Sequence, residues 1–69
     1  MEIDYYGVRV NSEGAEARAA FGVCNSERGI VELARRNRWL DFNIHQRVDT
    51  RDWYTDECCA RYRNGERVQ

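Results

Sequence analysis

The sequence predicts an α+β domain, a small antiparallel sheet of three or more strands with a helix packed on one face. Three observations lead there. Between Asn25 and Arg38 apolar residues recur every three to four positions; from Trp39 to Val48 they recur every second position; and the chain opens with a Tyr-, Ile- and Val-rich run that ends in an Asn…Gly turn. A period of 3.6 followed at once by a period of 2 is the pattern of a helix laid on a sheet.

Taken in order, "EIDYYGVRV" (2–10) has strand composition and no helical spacing. "NSEG" (11–14) supplies an asparagine that can bond its own backbone and a glycine that accepts a left-handed conformation, so it reads as a hairpin loop. The next stretch, "AEARAAFGV" (15–23), fits two descriptions. Its alanines favour a helix. Its alternation of Ala15, Ala17, Ala19, Phe21 and Val23 against Glu16 and Arg18 favours a return strand.

The helix is placed at 26–37. Asn25 or Ser26 can cap its first turn, and Glu27 sits where the helix dipole favours an acid. Ile30, Val31, Leu33 and Ala34 form the apolar stripe, and Glu32 precedes Arg36 by four, the favourable order for a surface pair. Arg35, Arg36 and Arg38 load the end, with Asn37 expected as the left-handed stop. In "WLDFNIHQRV" (39–48), Leu40, Phe42, Ile44 and Val48 then point one way, with Gln46 interrupting. Trp39, Asp41, Asn43, His45 and Arg47 point the other way. If the first set lies beneath the helix, the second forms a polar row on the wet face of the sheet.

The C-terminal stretch "TRDWYTDECCARYRNG" (50–65) is expected as a helix at about 51–63, with a strand as the alternative. As a helix it has Thr50 as cap, acids early, Arg61 and Arg63 late, Tyr54, Cys58 and Tyr62 at intervals of four, and Gly65 as the stop. As a strand it would turn at Asn64-Gly65 with only four residues left to return.

Length and composition bound the function. Sixty-nine residues make a single domain, 1–69. A single core of this size supplies only about 3–5 kcal/mol, so self-association or docking on something larger is the natural supplement. Three cysteines, no secretory leader and no apolar run able to span a membrane point to reduced thiols and a cytoplasmic setting. Cys24, His45, Cys58 and Cys59 do not have the spacing of a zinc framework, and adjacent cysteines point apart, so they read as small apolar fillers. His45 is the only histidine and stands in no recognisable nucleophile setting. Asp52, Asp56 and Glu57 lack a glycine-bearing calcium loop. The expectation is a protein without enzymatic activity, cofactor or metal.

All eleven basic residues are arginine, suited to carboxylates, phosphates and aromatic faces. They concentrate in the middle: residues 35–51 hold five arginines and two acids, whereas 1–34 hold three and six. A tryptophan beside arginines has the makeup of an interface anchor. The expected docking surface is therefore Trp39, Asp41, Asn43, His45 and Arg47, with Arg35, Arg36 and Arg38 at its rim. Two classes of partner follow. One is a larger protein or ribonucleoprotein complex that the chain blocks or adapts, with a homodimer also open. The other is nucleic acid, held by arginines and stacked aromatics; the net charge of −1 disfavours it. In length, single-domain layout and its charged, aromatic surface the chain resembles the small phage-encoded antagonists of bacterial machinery of the anti-CRISPR kind. That resemblance implies stoichiometric binding to a host defence or regulatory complex.

Overall fold

The computed structural model describes residues 1–69. Five strands and one helix follow in the order β1 (Glu2–Arg9), β2 (Gly22–Cys24), α1 (Glu27–Arg36), β3 (Phe42–Asp49), β4 (Tyr54–Arg63) and β5 (Glu66–Arg67). The strands form one antiparallel sheet in the order β2-β1-β3-β4-β5, and α1 lies across β2, β1 and β3. The α+β architecture is the one expected, with five strands.

Parity explains the core. Phe42 and Ile44 of β3 point to the inner face, under Ile30 and Ala34 of α1, and Ala60 of β4 joins them; all five are buried. Helix and sheet approach closely because β1 and β2 place Gly7 opposite Gly22 beneath the helix. A Cβ on Gly7 would stand 2.7 Å from Ile30 Cγ2, closer than any real side chain permits. Phe21 packs against that bare glycine surface, edge-on to Phe42 at 5.8 Å.

The hairpin after β1 starts as its residues suggest. Asn11 Oδ1 accepts from the Glu13 and Ala15 amides, Gly14 has φ +85°, and Val10 bridges Glu16. The return strand is much shorter than 15–23, however. Ala17 N still donates to Arg9 O; residues 18–20 leave the ladder, and the chain rejoins when Phe21 N donates to Gly7 O. Alanines add little to a sheet, whereas Phe21 has a core site to fill.

Ser26 caps α1, its Oγ accepting from Gly29 N at 3.1 Å. The surface pair within α1 is Glu32 with Arg35, not Arg36. Its end differs from the expectation in one instructive way. Asn37 is not left-handed (φ −96°); Arg38 is, at φ +58°. Arg38 N donates to Arg35 O and Trp39 N to Ala34 O, the paired bonds of a Schellman stop. Trp39 therefore belongs to the helix terminus and not to β3. Its ring is turned to the inner face, 4.6 Å from Phe21, with the Arg9 guanidinium 5.3 Å from its centroid.

No C-terminal helix forms; residues 54–63 are β4. The strand fits because an extra residue, Cys59, bulges between the pairs His45–Cys58 and Ile44–Ala60 and resets the alternation. Past the bulge, Ala60 and Tyr62 face inward, and Tyr62 stacks on Phe42 at 4.7 Å. The interval-of-four pattern of Tyr54, Cys58 and Tyr62 was thus an accident of two strand registers. Asn64 (φ +57°) and Gly65 (φ +84°) form a two-residue left-handed turn, and the four remaining residues suffice for β5. Past β5, Val68 N donates to Arg61 O and Arg61 N to Gln69 O. From Tyr54 to Ala60 the outer edge of β4 meets no strand.

Candidate functional site

The expected polar row divides. Asn43, His45 and Arg47 do share the outer face of the sheet, but each is engaged within the molecule. His45 lies between two carboxylates: Nε2 is 2.7 Å from Glu16 Oε2 and Nδ1 is 3.0 Å from Asp56 Oδ1. Tyr6, its neighbour across the β1–β3 pair, stacks on it at 4.9 Å and donates its hydroxyl to Asp56 Oδ2 at 2.6 Å. Buried Asn43 donates to the same Glu16 oxygen at 2.7 Å and accepts from Arg63. Arg47 holds Asp4 through two bonds of 2.8 Å, with its guanidinium 5.0 Å from the Tyr6 centroid.

The electrostatics are those of a closed network. Burial and the Asp56 carboxylate both push the Tyr6 hydroxyl upward, so it keeps its proton. Burial would raise Glu16, but the Asn43 and His45 bonds together outweigh it and hold the carboxyl below its ordinary value. The bond to Arg47 holds Asp4 down, and Asp4 in turn raises Arg47. Both imidazole nitrogens are thus engaged by carboxylates within the molecule. The two carboxylates approach from opposite sides of the ring, which is the geometry of a clasp and not of metal ligation.

The cysteines are dispersed. Cys59 Sγ sits 3.5 Å from Glu27 Oε1, and burial with that carboxylate pushes its thiol up to about 11. All three thiols are free.

The remaining expected residues gather elsewhere. Trp39 helps form an apolar groove of about 270 Å³ with Val31, Leu40, Phe42 and Tyr62, and Arg35 stands at its edge. Leu40, expected inside, is half exposed. The Schellman stop sets this up: it directs Trp39 inward and leaves Leu40 on the lip, where its carbonyl accepts from Gly65 N of the β4–β5 turn. Arg36 and Arg38 are exposed and in no ion pair. Asp41 is taken by the same hairpin, its Oδ1 accepting from Asn64 N at 2.9 Å.

At the opposite end of β3 and β4 a second exposed apolar group appears. Trp53 and Tyr54 are 53% and 57% exposed. The turn that carries them is tied by one hydroxyl. Thr50 Oγ1 accepts from the Asp52 and Trp53 amides and donates to Trp53 O, which uses its full hydrogen-bonding capacity. These bonds imitate a helix cap, which is why Thr50 suggested one.

Sequence reasoning missed Tyr6, Glu16 and Asp56 as partners of His45, and Tyr62 and Val31 as partners of Trp39. Only the cross-strand neighbours of His45 carried a usable signal, since β1 and β3 were both legible as strands. No family model matches the chain, and neither a curated protein nor a solved structure matches it.

Proposed function

We propose that this chain is a non-enzymatic protein-binding module, an inhibitor or adaptor that works by occupying a surface of a larger partner. The observation that supports this reading is the groove lined by Trp39, Leu40 and Tyr62, because it combines an accessible apolar cleft with Arg35 at its edge and with the unpaired Arg38 next to Trp39 in the chain. Aromatic and arginine side chains around a desolvated pocket are the usual composition of an interface centre. The groove's chemistry selects a hydrophobic anchor flanked by acids. Arg35, Arg36 and Arg38 follow one another with no acid among them.

A protein partner accounts for the arginines better than nucleic acid does. On the open face of the sheet Arg47 is held by Asp4, Arg61 by Gln69, and Arg63 by Asn43 and backbone carbonyls. A phosphate would have to break those bonds. The small phage-encoded antagonists that the sequence resembles act in the proposed manner, by stoichiometric blockade of a bacterial complex.

The test uses a dodecapeptide with a central Phe-Leu pair between runs of glutamate. Saturable binding is expected by calorimetry, with amide shift changes at Val31, Leu40 and Tyr62. The double variant Leu40→Glu, Arg35→Glu should abolish it without moving the thermal melt, since both residues are exposed. Shifts confined to the His45–Arg47 face, or an unsaturable titration, would contradict the assignment. Trp39→Ala is the wrong probe, because Trp39 also covers Phe21.

A further inference from the structure

The two exposed apolar groups lie at opposite ends of the same pair of strands. The groove is at the Phe42–Tyr62 end of the β3–β4 ladder and the Trp53 turn is at the Asp49–Tyr54 end. Eight residues of strand separate them by about 27 Å, and the molecule measures 37 × 23 × 21 Å. No copy can reach its own groove with its own turn.

Their chemistries are opposite in sign and alike in apolar character. Between Asp49 and Glu57 the chain carries four acids, Asp49, Asp52, Asp56 and Glu57, against the single Arg51. Arg35 lines the groove and is paired only with the exposed Glu32 at 3.4 Å, and Arg38, exposed and in no ion pair, directly precedes the groove residues Trp39 and Leu40. The Trp53 backbone is held by the Thr50 turn, so seating the indole costs side-chain freedom but little backbone entropy. A cleft of about 270 Å³ is ample for one indole ring.

We propose that a second copy of this chain occupies the groove, inserting Trp53 between Trp39, Leu40 and Tyr62 while Asp49 and Asp52 meet Arg35 and Arg38. The contact is head-to-tail. Each copy donates one end and receives at the other, so association extends into a ring or an open string and does not stop at a symmetric pair. This inference rests on the reading of the groove as a docking site. It adds that the free protein's own turn competes with any external partner, so that groove occupancy depends on protein concentration.

The experiment is sedimentation velocity over a concentration series with two complementary variants. Trp53→Ser removes the inserting end; Leu40→Glu with Arg35→Glu removes the receiving end. Wild-type protein is expected to gain mass with concentration at low salt and to lose that gain at high salt. Each variant alone should sediment as a monomer. Their equimolar mixture should give a species of twice the monomer mass and nothing larger, because one intact inserting end and one intact receiving end remain. Asp49→Arg with Asp52→Arg serves as a second disabled inserting end should the serine variant melt early. A wild-type protein that stays monomeric at every concentration overturns the proposal, as does a mixture that stays monomeric while the wild type associates. If the wild type stays monomeric but still binds the acidic peptide, only the self-association fails and the docking groove stands.

Discussion

Replacing Gly7 by alanine tests the closeness of helix and sheet with one methyl group. The new Cβ would lie 2.7 Å from Ile30 Cγ2 and 2.8 Å from Phe21 Cε2, where carbon atoms rest at about 3.5–4.0 Å. Neither neighbour can step aside. Ile30 has no exposed surface, and Phe21 is wedged between Trp39 and Phe42. Relief must therefore come from the helix backing off the sheet, an overpacking cost of about 1–3 kcal/mol. Alanine returns roughly 0.5–1 kcal/mol by being the better strand residue. The difference spans about 0–2.5 kcal/mol, centred on about 1 kcal/mol, from a domain whose core supplies about 3–5 kcal/mol, and Tm should fall by about 4–8 °C. Circular dichroism melts, thermal and in urea, read this directly. At Gly22 the obstructing atom is the end of the flexible Leu33 side chain, so Gly22→Ala should lose less. A Gly7→Ala protein that melts at or above the wild-type temperature would refute the packing argument.

Three other outcomes are expected. Glu16→Gln should cost about 1 kcal/mol at pH 7, allowing for the solvent exposure of the Glu16–His45 pair. Because the folded Glu16 carboxyl titrates below its ordinary value of 4.5, its contribution is present above that value and is lost as pH falls through the lower folded one; melts of variant and wild type should converge in acid. Arg38→Gly should stabilise the protein by up to about 1 kcal/mol, because Arg38 holds a left-handed conformation that glycine adopts without strain; a lower Tm would show that its side chain does more than end the helix. Cys59, with its thiol pushed up to about 11, should resist iodoacetamide at pH 8 in the folded protein and react in denaturant, as peptide mapping by mass spectrometry can establish.

Local rules carried the sequence reading as far as local rules go. The alternation from Phe42 to Val48, the capped amphipathic helix and the Asn11–Gly14 loop were legible because each is decided by neighbours in the chain. The failures each had a tertiary cause. At 54–63 a bulged residue erased the period of 2 and left a false period of 4, and only the unpaired side of β3 required a strand there. Trp39 was assigned by extending the β3 parity backward through a helix stop that had not yet ended. Of the candidate site, Arg35 and Trp39 do lie together, but Leu40 and Tyr62 complete the cleft. His45 and Arg47 instead serve a network whose other members, Glu16 and Asp4, come from distant parts of the chain.

The open edge of β4 bears on which assemblies this protein can form. A bare row of amides and carbonyls is a template for fibril growth. Antiparallel self-pairing centred on Asp56 or Glu57 would set carboxylate against carboxylate, the Cys59 bulge bends the strand, and Arg67 already occupies the Cys59 carbonyl at 3.4 Å. Lateral growth into a continuous sheet is opposed in those registers by the same acids that make the strand's first turn attractive to arginine. Whatever assemblies form can lengthen without fusing side by side in those registers.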